Sequence, residues 1–182
     1  MKEELGEYIH EKLIEEAKHY QWKIIMDSSK IALEIYFTVS LDIDENHYVQ
    51  DGNATINDSG KLIFEEVLCF YDEMNSKIAP SNYLIAIPLN PAVGIEQGYV
   101  DAVMKQLNII ASSAIGDLRK FLADDTRKEF SLIWNEQNME NTVETIRKTG
   151  RYSSNILTFI SEEEDSFVDK IKGDQNGGME RV

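Results

Sequence analysis

The sequence predicts an α+β fold: an N-terminal helix, an antiparallel β-meander, a long helix packed on one face of the sheet, then a short strand and a helix. Three observations carry this. Residues 31–41 alternate between apolar and polar types, as a strand with one buried face must. Residues 96–123 repeat apolar side chains at helical spacing. The elements also run helix, strands, helix, strand, helix, and not in the strand–helix alternation of a parallel doubly wound sheet.

Taken in order, Leu5, Ile9, Leu13 and Ala17 recur every fourth residue and predict a helix over 3–20, with Glu3, Glu4 and Glu7 where the helix dipole favours anions. Trp22, Ile24 and Met26 then alternate with Gln21, Lys23 and Ile25, and Asp27-Ser28-Ser29-Lys30 reads as a turn. The strand that follows sets Ile31, Leu33, Ile35, Phe37, Val39 and Leu41 on one face and leaves Glu34 on the solvent side. Residues 42–60 are polar and turn-rich, with room for a short strand near Tyr48 or Thr55-Ile56. Residues 61–71 read as a strand with a bulge at Glu65-Glu66, where the alternation slips. Tyr83 to Ile87 reads as a short strand stopped by Pro88. On the long helix, Tyr99, Val103, Leu107, Ile110, Ala114, Leu118 and Phe121 form the stripe that faces the sheet. Phe130–Trp134 is expected as a short strand. Residues 138–149 are expected as a helix with Asn138 as its cap and Gly150 as its stop, and Asn155–Ile160 as a last strand. The expected division is an α+β domain over 1–161 and an acidic, flexible tail over 162–182, where Phe167, Val168 and Ile171 suit a docking helix.

Charge narrows the functional classes. A formal net charge of −15 over 182 residues makes phosphate backbones and anionic membrane surfaces poor partners, since both need clustered Lys and Arg. It favours cations, basic peptides and basic proteins. The N-terminal twenty residues hold no apolar core of the signal-peptide kind, and no run approaches the ~20 apolar residues of a membrane span. Cys69 is the one cysteine, so no internal disulfide forms, which suits a cytoplasmic location. Its apolar surroundings read as those of a buried structural thiol.

Motifs for chemistry are scarce. Asp42-x-Asp44-x-Asn46 begins like a calcium loop, but His47 stands where the turn needs Gly and Asn53 where a bidentate Glu belongs. His10 and His19 lie nine residues apart on the expected first helix, too far for one metal, and His47 sits in the acidic loop. HExxH, GxSxG, GxGxxG and GxxxxGK[ST] do not occur. Gly94 and Gly98 precede the long helix, whose N-terminus suits an anion, but Glu96 works against one. Carboxylate pairs such as Glu15-Glu16, Glu65-Glu66 and Asp124-Asp125 are too common to point anywhere. Glu34 and Glu66, set within apolar strands, are the carboxylates with most potential as general acids. Trp22 and Trp134 read as core-edge rings, with protein contact as the other use of such rings. No catalytic, cofactor-binding or metal-ligating residue is assigned, and no cofactor is expected.

Several stretches nevertheless recur together: Phe64-Glu65-Glu66-x-Leu68-x-Phe70-Tyr71, Tyr83-Leu84-x-x-Ile87-Pro88, Gly94, Phe121-Leu122-Ala123-Asp124-Asp125 and Phe130-x-x-x-Trp134. Over residues 3–150 this set resembles a family of small acidic proteins of low-GC Gram-positive bacteria known only as a domain of unknown function. The resemblance implies a class and no site, and the chain departs from it after Asn155.

The functional expectation is a non-enzymatic interaction module with a protein partner of basic character, and with self-association through a sheet edge or helix as one form of it. Size, charge and element order are similar to secretion-chaperone-like domains that clamp extended segments, a likeness of fold alone. The alternatives are an enzyme whose site is assembled from scattered carboxylates, and an acidic mimic of nucleic acid that covers a basic protein surface.

Overall fold

A computed structural model describes residues 3–43, 60–159 and 177–181. Helix α1 (Leu5–Glu16) leads into β1 (Gln21–Asp27), and β1, β2 (Ala32–Asp42) and β3 (Lys61–Asp72) form the expected antiparallel meander. A 3-10 turn at Pro80–Asn82 precedes β4 (Ile85–Leu89). There follow β5 (Ile95–Glu96), α2 (Gln97–Leu122), α3 (Glu136–Lys148), β6 (Ile156–Leu157) and β7 (Gly177–Arg181). The main sheet has the order β4-β3-β2-β1-β7, antiparallel at its centre and parallel at both outer pairs; β5 and β6 form a separate antiparallel pair. The fold is therefore α+β.

The alternation read from the sequence sets the core. Trp22 and Ile24 of β1, Leu33, Ile35, Phe37 and Val39 of β2, and Leu68 and Phe70 of β3 share one buried face. Leu5, Ile9 and Leu13 of α1 and Val100, Val103, Met104, Leu107 and Ala111 of α2 join them in one cluster. A smaller cluster of Leu41, Leu62 and Leu118 closes the far end, where Phe64 and Phe130 meet edge to face at 5.0 Å. Cys69 is completely buried, and desolvation pushes its thiol up to about 12, so it is an inert core group at neutral pH.

Several expected boundaries move, each for a local reason. Helix α1 stops at Glu16, so His10 is helical and His19 is not. Ile31 belongs to the β1–β2 turn and not to the strand: it sits at φ 51° after Asp27, whose Oδ1 accepts from the Ser29 and Lys30 amides. Strand β3 carries no bulge. Its register with β2 runs unbroken from Tyr71 to Lys61, and the apparent slip arises because Glu66 takes a core-side position. Pro88 does not stop β4, which continues to Leu89. Residues 130–134 form an irregular connection in place of the expected strand, with Phe130 packed on the smaller cluster and Trp134 on the main core. Helix α3 starts one turn early, capped by Asn135, whose side chain accepts from the Asn138 amide at 2.9 Å. It does end at Gly150, at φ 69°, with the Arg151 amide bonded back to the Ile146 carbonyl. The last strand shrinks to Ile156–Leu157, extended by a bridge from Thr158 to Glu4.

The loop readings at Asp44, Asn46, His47, Tyr48, Asn53 and Thr55-Ile56, and the docking helix at Phe167–Ile171, lie outside the described residues. Of the expected tail, Gly177–Arg181 is described and runs parallel to β1.

Candidate functional site

Strand β4 is one of the two outer strands of the main sheet, and its hydrogen-bond direction decides what it offers. The Glu73 amide donates to the Leu89 carbonyl at 3.0 Å, so the main-chain groups of Leu89 face β3. Strand alternation then turns those of Ile85 and Ile87 to β3 as well, and those of Ala86 and Pro88 outward. Proline has no N–H to lose at an outward position, which is why the strand passes through Pro88.

Between this edge and α3 lies a groove of about 680 Å³. Ile85 and Ile87 form one wall, Met139 and Val143 of α3 the other, and Tyr99 and Trp134 complete an apolar lining. Trp134 is thus half-buried at the rim of the core, the core-edge position expected for it, and its ring lines the groove. Four consecutive β4 residues, Ile85 to Pro88, line the groove. Neighbours in a strand point to opposite faces, so a groove that touches all four runs along the strand's outer edge.

The α3 side of the groove is acidic. Glu136, Glu140 and Glu144 are exposed and lie at i, i+4 and i+8, one stripe along the helix. Glu144 is held below the usual carboxylate range by Lys148, 2.7 Å away. Burial, and then the charge of Glu136, raise the Tyr99 phenol. The one basic side chain of the lining, Arg147, is committed elsewhere. Its guanidinium stacks on the Tyr152 ring at 4.5 Å and lies 3.9 Å from Glu96, which also accepts from Tyr152 Oη at 2.5 Å. These glutamates carry no motif that marks them in the sequence, although their fourfold spacing beside Met139 and Val143 is plain there.

Glu34, expected on a solvent face, is only 2% exposed. Because β4 runs parallel to β3, residues 73–84 must cross back over the sheet, and they do so on the face away from α1 and α2. Tyr83 Oη donates to Glu34 at 2.6 Å, Tyr36 Oη at 2.8 Å and Lys30 Nζ at 3.0 Å. Burial alone raises this carboxyl, but the donors from Tyr83, Lys30 and Tyr36 outweigh it and hold the group below its ordinary range. A carboxylate held ionised under three donors is an anchor for the crossover, the opposite of a poised general acid.

Glu66 sits on the other face. It lies opposite Phe37 in the β2–β3 register, accepts from the Val67 amide at 3.2 Å, and is raised by burial. The sheet therefore separates Glu34 from Glu66, and no shared carboxylate site forms. A raised carboxyl favours the protonated form on folding, so its contribution is greatest below the ordinary value of 4.5 and is lost as pH rises. Glu66→Gln should accordingly raise the melting temperature at neutral pH by roughly 2–4 °C, about 1 kcal/mol, and leave it unchanged near pH 4. Thermal melts at the two pH values check this.

His10 is buried with its ring edge-on to Trp22 at 5.5 Å, while His19 is exposed. Among the described residues no group of three or more His, Cys, Asp or Glu is placed to hold a metal ion. Gly98 packs directly against the Tyr152 ring, which accounts for a glycine at the start of α2 without an anion.

Residues 1–161 match the family model described as protein of unknown function (DUF3013). The chain belongs to this family. The DUF3013 match ends at residue 161, and β7 lies outside the matched residues. A crystal structure of a conserved protein of unknown function from Enterococcus faecalis is similar in fold, with a TM-score of 0.73 at 21% identity over 88% of this chain and 97% of that one. None of the curated proteins matches. Among the described residues of this DUF3013 chain, no helix is long and apolar enough to cross a membrane.

Proposed function

We propose that this DUF3013 chain is a non-enzymatic protein-interaction module, and that it works through the β4–α3 groove. The observation that carries the reading is the groove itself: an apolar lining of about 680 Å³, opened along a sheet edge and bordered by an acidic helix stripe. Aromatic side chains such as Tyr99 and Trp134 at the border of an apolar cleft are the type that concentrate binding energy in protein contacts. The net charge of −15 favours a partner of basic character.

The test is capture from a cytoplasmic extract by the immobilised full chain, read by mass spectrometry beside Trp134→Ala and Val143→Asp. Both side chains are only half-buried, so both variants should keep the circular dichroism of the parent. A stoichiometric partner that both folded variants lose is the expected result. A partner retained equally by the parent and both variants would overturn the groove as the contact surface.

A further inference from the structure

Resting on the groove reading above, we infer that the occupant is a short extended segment in which Lys or Arg alternates with apolar residues. The first argument is spacing. An α-helix rises 1.5 Å per residue, so Glu136, Glu140 and Glu144 repeat about every 6 Å along α3. An extended chain places side chains on one side about every 6.6–6.8 Å. Three alternating basic residues therefore span about 13 Å against about 12 Å for the three carboxylates, a mismatch that long side chains absorb. In a strand added to β4 the residues between them fall on the other face of the sheet, beside the apolar side chains of Ala86 and Pro88.

The second argument is the strand edge. A helical occupant with basic residues four apart also repeats about every 6 Å, so spacing alone does not choose. A helix bonds its own main chain and leaves the outward N–H and C=O of Ala86 without partners. An extended chain meets both, as in strand addition to an open edge. No described strand pairs with that edge of β4. Pro88 offers a carbonyl and no N–H there, so the addition centres on Ala86 and cannot continue as a long ladder. Charge supplies the third argument. Arg147 is occupied by Glu96 and Tyr152, and Lys148 pairs with Glu144 at the end of the stripe, so Glu136 and Glu140 are the carboxylates that meet an incoming segment without a cation beside them in the groove lining, which repels acidic or phosphorylated segments.

The experiment is fluorescence anisotropy with the full chain and a labelled synthetic peptide carrying the repeat Lys–Leu–Lys–Leu–Lys. The comparison peptides have the same composition in blocks, the acidic repeat Glu–Leu–Glu–Leu–Glu, and a helix-forming peptide with Lys four residues apart. The alternating peptide should bind about tenfold more tightly than the block peptide, and binding should weaken as salt is raised. Glu140→Lys should weaken it about tenfold, while Glu15→Lys on the exposed side of α1 should not. Ala86→Pro removes the outward N–H. Since that change acts on a strand, the peptide is also N-methylated at each position in turn with the protein untouched, and at least one position should abolish binding. Equal binding of the alternating and block peptides, preference for the helical peptide, or indifference to every N-methyl group would overturn the extended occupant. If Trp134→Ala still weakens the peptide that does bind, the groove reading survives that result. If no bound peptide responds to Trp134→Ala, the groove reading fails as well.

Discussion

Glu34→Ala should lower the stability of the fold by about 2–3 kcal/mol at neutral pH, roughly 4–12 °C in melting temperature, the largest effect of any polar substitution in the sheet. The side chain is sealed under the crossover and accepts from Tyr83, Tyr36 and Lys30. Its removal strands two tyrosine hydroxyls at part-buried positions. Lys30 loses less, because its side chain is 44% exposed and lies 3.2 Å from Asp27, so the figure stays below that for a fully buried broken pair. Glu34→Gln keeps the shape and one of the two acceptor oxygens, enough for the bonds from Tyr83 and Lys30, and should cost about 1 kcal/mol.

The pH dependence separates the charge from the shape. A carboxyl held below its ordinary range gives stability that is fully present above 4.5 and lost as pH falls through the lowered value in the folded chain. The gap between the parent and Glu34→Gln should therefore close on acidification. Asp27 and Asp72 are also held low, by their turn donors, so a residual acid limb persists in the variant. Denaturant titrations at neutral and acid pH measure the gap. A gap of the same size at both would show that Glu34 acts through packing alone.

How Glu34 escaped a reading from sequence explains the general limit. The alternation of residues 31–41 correctly assigns Leu33, Ile35, Phe37 and Val39 to the core, because one-sided burial is a property of the strand itself. Whether the opposite face is wet depends on where another segment goes. Residues 73–84 contain turn signals that fit a hairpin and a crossover equally, and only the parallel choice lays Tyr83 over Glu34. Pro88 misled for a related reason: its missing N–H matters only on the side that must bond, and the sequence does not tell which side that is. At Glu66 a charged residue in a core-side position imitated a bulge. The groove was illegible for another cause, since it exists only because α3 comes to lie beside a strand some fifty residues earlier in the chain. What the sequence did contain was each wall separately: the apolar Ile85 and Ile87, and the stripe of Glu136, Glu140 and Glu144.

Gly94→Ala should destabilise the fold by about 3 kcal/mol, roughly 6–12 °C, through two costs at one residue. Gly94 sits at φ 80°, where an L side chain adds roughly 1–2 kcal/mol. A Cβ there would also lie 2.4 Å from the Leu157 carbonyl oxygen and 2.6 Å from Ile156 Cγ2, so the main chain of β6 has to move. That junction ties distant parts together. The turn is closed by the Gly94 amide on the Asn90 carbonyl at 2.9 Å. Strand β5 then pairs with β6, and the residue after β6, Thr158, exchanges main-chain bonds with Glu3 and Leu5. Leu157 and Phe159 enter the core from this segment, and α2 starts from it with Tyr99 in its first turn. The variant should therefore weaken groove binding along with stability, although it touches no groove residue. Gly116→Ala is the matched control, at a position where a Cβ meets nothing within 4 Å. In mid-helix it should raise stability by about 0.5–1 kcal/mol. A Gly94→Ala chain that melts with the parent would mean that β6 yields freely, and that the β5–β6 junction does not hold the start of α2 in place for the groove.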